Sequence, residues 1–245
     1  MGVKLVDLPD WLEKRRTSFS PPDDFHWYVT AHNWTSLAAD SGTSVTISTA
    51  TGLAAGGWLL LTPGTTDNNE VAAYSTNKVT LFAADKPALF ETRINFTEAN
   101  TSAMNCCVGW ASAFGANLMV DDGAGMATNF SGAMIFKVDG GTVWKCISSI
   151  GTTQTVSTST VTAGGGTQVL RIEFHPLTST TGDFVFLCDS GSGLKPFLDS
   201  NNREIKHTAV TITSAATMNY GMYCKQGSTS ADLLYVDYAY NAQLH

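Results

Sequence analysis

Charge is scarce in this chain of 245 residues, which has 14 lysines and arginines against 21 aspartates and glutamates, a net charge of −7. An acidic chain with few, dispersed bases is repelled by phosphate backbones, which argues against nucleic acid as a partner. Long apolar runs are also missing. The longest, Trp58-Leu59-Leu60-Leu61, falls far short of the ~20 residues a membrane helix needs. The five cysteines are odd in number and lack a C-x-x-C spacing, which excludes a disulfide framework or a zinc site. Cys106 and Cys107 are adjacent, so on a strand they point to opposite faces. All five are expected to be small buried hydrophobes. Residues 1–16 hold basic side chains but no apolar core of a secretory signal, so synthesis and folding in a cytoplasm are expected.

Devices for catalysis are equally sparse. A glycosidase needs two carboxylates converging on one bond, about 5 to 10 Å apart. No strand carries alternating acids, and Glu91, Glu173 and Asp237 each stand alone. There is no G-x-S-x-G elbow, and the glycine clusters lack the Lys-Ser/Thr of a phosphate loop. His26, His32, His175, His207 and His245 lie apart, without paired metal-ligand spacing. Asp121-Asp122-Gly123 and Asp199-Ser200-Asn201-Asn202 are oxygen-rich but read as turns rather than calcium loops. No enzyme activity, metal or cofactor is expected.

What the chain has in abundance is hydroxyl groups and strand formers. Its 32 threonines and 21 serines outnumber its charged residues, while the helix formers Glu, Lys, Arg and Gln are few. Phe90, Ile94 and Phe96 alternate with Glu91, Arg93 and Asn95, and Leu170, Ile172 and Phe174 with Arg171, Glu173 and His175. Each is the pattern of a half-buried strand. Met134 to Val138 and Val143 to Cys146 flank Asp139-Gly140-Gly141, which predicts a hairpin. Further strands are expected at 45–47, 58–62, 71–75, 104–110, 184–188, 209–213, 220–225 and 233–240. The stretch 151–167 reads equally as a linker or as an exposed strand pair. Roughly a dozen short strands without a long helical period predict an all-β, antiparallel sandwich or barrel.

The start of the chain differs from the rest. Residues 1–22 read as an arm, with a short helix capped by Asp7 and stopped at Ser20-Pro21-Pro22, and residues 23–245 as one sandwich domain. Trp11 and Leu12 beside Lys14, Arg15 and Arg16 make the arm basic and aromatic on an acidic body, so it either lies on the domain or reaches a partner. Trp27, Tyr28 and Trp34 form a second aromatic group, suited to stacking on a glycan or anchoring an interface, although core packing also explains a tryptophan here.

Several segments, taken in order, resemble tailed-bacteriophage virion proteins with a concanavalin A-like, jelly-roll sandwich. They are Asp23-Asp24-Phe25, Gly56 to Thr62, Thr66 to Glu70, Lys86 to Ile94 and Leu233 to Tyr238. The resemblance implies a non-enzymatic capsid decoration, or cement, protein, often trimeric, which binds the major capsid protein on the outside of the head. The virion would then be its location, after synthesis in the host cytoplasm. The arm residues Trp11, Leu12, Lys14, Arg15 and Arg16 are our own assignment for the capsid contact. A lectin-like module on a virion and a tail or baseplate component are the alternatives the same fold allows.

Overall fold

The computed structural model of the chain describes residues 17–19, 25, 33–38, 40–48, 57–98, 102–150, 153–212, 216–229 and 232–244. Among these residues there is no helix. In chain order the strands are β1 (Thr17–Phe19), β2 (Trp34–Leu37), β3 (Ser44–Ser48), β4 (Trp58–Thr62), β5 (Glu70–Ser75), β6 (Thr80–Phe82), β7 (Ala88–Thr97), β8 (Asn105–Ala111), β9 (Met119–Val120) and β10 (Gly125–Met126). They continue with β11 (Gly132–Lys137), β12 (Val143–Ile150), β13 (Thr153–Thr162), β14 (Gln168–Pro176), β15 (Thr181–Asp189), β16 (Lys195–Pro196), β17 (Lys206–Thr211), β18 (Ala216–Lys225) and β19 (Leu233–Leu244). The helix expected in the arm lies outside the described residues. β1, at the arm's end, is a strand on the body, with Thr17 opposite Leu244.

Two antiparallel sheets make the sandwich. The first runs β16-β15-β14-β7-β19-β4-β3, with β1 beside β19 and β17 beside β15. The second runs β13-β12-β11-β8-β18-β5-β2, with β6 beside β18. The expected hairpin joins β11 to β12, and Gly140 takes φ 71° in its turn, a conformation that suits glycine. The stretch that read as linker or strand pair holds one ten-residue edge strand, β13, followed by a turn into β14.

Alternation puts the apolar residues of both sheets between them. Phe90, Ile94, Phe96, Leu170, Ile172 and Phe174 of the first sheet meet Val108, Trp110, Ile135, Trp144 and Met222 of the second. Phe82 sits at the centre of an aromatic group, its ring 5.4 Å from Trp110, 4.8 Å from Phe174 and 5.2 Å from Phe184. Buried indole N–H groups need acceptors in such a core. Trp110 donates to Asn241 Oδ1 at 2.8 Å and Trp144 to Gln168 Oε1 at 2.9 Å.

Asn241 reaches the interior because β19 changes phase. Its register shifts between Val236 and Tyr238, so Leu234 and Val236 face inward before the bulge and Ala239 after it. Continuing that alternation turns Asn241 and Gln243 inward, and Tyr238, Tyr240 and Ala242 pack in a separate outer cluster with Leu89.

The aromatic group near the start is corrected at Trp34. Only 2 % exposed, it packs on Phe25 at 5.2 Å and Tyr220 at 5.4 Å, so it belongs to the core and not to a glycan-stacking surface. Trp27 and Tyr28 lie outside the described residues. All five cysteines are free and buried, with Cys106 on the inner face and Cys107 on the outer.

Candidate functional site

The outer face of the second sheet is covered by the chain itself. Between β8 and β11 the segment 112–131 crosses this face and includes the small β9–β10 hairpin. Phe114, Leu118, Met119, Met126 and Phe130 of the segment pack on Ala72, Cys107, Met134, Phe136, Ile147 and Tyr223 of the sheet. Tyr74 and Phe114 stack with centroids 5.2 Å apart. The sequence gives no periodic sign of this cover, because its apolar residues are spaced irregularly.

A polar clamp fixes one end of it. Glu70 on β5 and Lys225 on β18 are register partners and share the outer face. Lys225 Nζ is bonded to Asp121 Oδ1, donates to Asn117 Oδ1 at 2.8 Å and to the Met119 carbonyl at 3.3 Å, and lies 3.7 Å from Glu70 Oε2. Glu70 accepts the Asn117 N–H at 2.8 and 3.0 Å and the Tyr223 hydroxyl proton. The Tyr223 phenol is pushed up by burial and by the adjoining Glu70. One ammonium thus gathers oxygens from the covering segment and from the sheet. The turn expected at Asp121-Asp122-Gly123 is present, with Asp122 at φ 53°, and Asp121 serves the clamp.

A second polar group lies on the outer face of the first sheet. Arg171 pairs with Glu91 at 2.6 Å and with Glu173 at 3.5 Å, while Tyr238 donates to Glu91 Oε1 at 2.6 Å. Carboxylates that stand alone along their own strands therefore converge across strands. They converge on a guanidinium, and Glu91 is 1 % exposed. Burial and Glu91 hold the Tyr238 phenol well above its ordinary range. His175 bonds Glu173 at 3.0 Å. Nearby, Arg93 bonds Asp237 at 2.9 Å and lies over the Trp58 ring.

One end of the sandwich carries a cavity of about 430 Å³, lined by Phe96, Glu98, Ser102, Lys137, Thr142 and Gly164 among others. Lys137 falls in phase with the inward Ala133 and Ile135, and its ammonium donates to Glu98 at 2.6 Å, Met104 O at 3.0 Å and Ser102 O at 3.1 Å. Its charge is neutralised within the wall, so the cavity presents hydroxyls, a carboxylate edge and an apolar ring.

The remaining candidates are structural. Asp199 Oδ1 accepts the N–H groups of Asn201 and Arg203, and these bonds, that to Arg203 foremost, hold its carboxyl below the usual range. His207 is buried between Ser148 and Ser157, at 2.8 and 3.1 Å. No group of three or more His, Cys, Asp or Glu side chains among the described residues is arranged to hold a metal ion. The arm residues Trp11, Leu12, Lys14, Arg15 and Arg16 lie outside the described residues.

The chain matches no protein-family model and no curated protein. Several solved structures share its fold. The potassium-bound carbohydrate recognition domain of Emp46p is 12% identical, with a TM-score of 0.57 over 90% of this chain and 94% of that one. An endo-β-1,4-glucuronan lyase from the fungus Trichoderma reesei is 11% identical, with a TM-score of 0.60 over 91% and 95%. The Ca²⁺-bound exoplasmic/lumenal domain of VIP36 is 12% identical, with a TM-score of 0.56 over 91% and 88%. These likenesses, together with the two facing antiparallel sheets, show that the chain has the concanavalin A-like jelly-roll sandwich fold.

Proposed function

We propose that the chain is a non-enzymatic attachment protein that decorates the outside of a tailed-phage head. One observation carries the non-enzymatic reading. The segment 112–131 covers the outer face of the second sheet, and the buried acid and base groups of the outer faces, Glu70, Lys225, Glu91 and Arg171, are engaged in internal contacts such as Lys225–Asp121 and Arg171–Glu91. A polymer-cleaving site needs an open cleft with accessible general acid and base groups.

The capsid reading rests on the ordered resemblance of segments to phage decoration proteins. It is supported by the way β1 joins the basic residues 1–16 to a sandwich of net negative charge. Decoration uses many copies on a repeating lattice, so modest contacts suffice. The test mixes purified protein with mature heads that lack it, beside a variant without residues 1–16 that keeps β1. Regular added density with the full chain and none with the truncated one is expected. Failure of the full chain to sediment with heads overturns the capsid reading.

Glycan recognition is the second reading, and it is favoured by the carbohydrate recognition domains among the structures of this fold. The end cavity, with Phe96 as an apolar wall beside Glu98, Ser102 and Thr142, is a suitable place for a sugar. This reading predicts binding on a glycan array that survives loss of residues 1–16 and is lost in Thr142→Trp.

A further inference from the structure

Natural sheets protect their ends with short or charged strands, because an unpaired edge invites another chain to pair with it. Three of the four strands that end the sheet paths are short, with four residues in β2, five in β3 and two in β16. β13 has ten. It pairs with β12 along one edge, and among the described residues its other edge makes one backbone bond, from Thr160 N–H to Leu198 O at 2.9 Å. From Thr153 to Ser159 this edge carries no charge, no proline and no glycine. Val156, at the midpoint, is 50% exposed.

We propose that this edge is a self-association surface, on which β13 of a second copy pairs antiparallel about a two-fold axis at Val156. Reversal suits the segment. Val156 then faces Val156, Thr155 faces Ser157, Gln154 faces Thr158 and Thr153 faces Ser159, each a cross-strand pair of apolar or hydrogen-bonding groups. Two copies with a net charge of −7 repel one another over most of their surfaces, and an uncharged strip is where they approach at least cost. The nearest charge in the sheet, Lys145, is one strand back, opposite Thr158. The bond from Thr160 to Leu198 sets the limit of the paired stretch. The result is an isologous dimer with one continuous sheet across both copies, in contrast to the trimer the family resemblance implies.

Sedimentation equilibrium of the full chain tests the pairing, with twice the chain mass expected. Val156→Lys sets like charges against each other across the axis and should weaken the dimer by about tenfold or more. Leu177→Lys, at a position 56% exposed in the turn between β14 and β15, should leave it unchanged. Val156→Cys places two thiols face to face, and treatment with diamide should give a covalent dimer that Leu177→Cys does not form. A monomer at every concentration, a trimer, or a dimer indifferent to Val156→Lys would each overturn the proposal.

Discussion

The ammonium of Lys225, on a central strand of the second sheet, is bonded to the carboxylate of Asp121 on the segment that crosses above it. Lys225 is 1% exposed and Glu70 is 7% exposed. Removing one member of a buried ionic group leaves the others uncompensated. Lys225→Met should lower the unfolding free energy by about 3 kcal/mol and expose the 112–131 segment to protease before global unfolding. Urea titration and limited proteolysis with mass mapping check both effects, and unchanged cleavage of the segment would remove the clamp from the account.

Asn241 serves two donors at once, Trp110 Nε1 at 2.8 Å and Thr80 Oγ1 at 2.9 Å. Asn241→Leu keeps the volume but strands both in the core. The expected loss is about 2–4 kcal/mol, read as a lower urea midpoint with an unchanged m-value.

Burial pushes the His207 imidazole down to about 4 from its ordinary 6.5. Between these values the unfolded chain binds a proton that the folded one refuses. His207 therefore contributes stability in full above pH 6.5 and loses it as the pH falls to 4, by about 3 kcal/mol at most. Urea midpoints at pH 7, 5 and 4 should fall more steeply for the native chain than for His207→Gln. The carboxylates that titrate in this window are common to both proteins, so parallel curves would refute the assignment.

The thiols make a chemical probe of the fold. Burial raises all five, Cys106 to about 12, and the thiolate is the reactive form. Ellman's reagent should find none in the native protein and all five in denaturant. A fast-reacting thiol under native conditions would show an opening that the packing does not predict.

Much of the sandwich is legible in the sequence, because a strand with one buried face alternates. Phe90-Glu91-Thr92-Arg93-Ile94 and Leu170-Arg171-Ile172-Glu173-Phe174 reveal their inner faces directly. Their outer faces mislead. Glu91 and Arg171 point away from the core and are nonetheless buried, since each neutralises the other across a strand boundary that no single segment displays. Lys137 ends an inward row, where its ammonium is met by Glu98 from another strand's end. The segment 112–131 escapes detection for a different reason. Its apolar residues cover a sheet without belonging to one, and they follow neither a two-residue nor a 3.6-residue period.

The register shift in β19 makes the last strand of the chain a phase device. Before it, the strand presents its even-numbered residues to the interior, and after it the odd-numbered ones. Without that shift Asp237 would stand opposite Arg93, and every later residue would slip by one and exchange sides. Tyr238 and Tyr240 would be driven toward Phe82 and Trp110, and Asn241 would be carried away from the indole it serves. A single residue, itself outside the core, thus sets which half of the closing strand the protein hides.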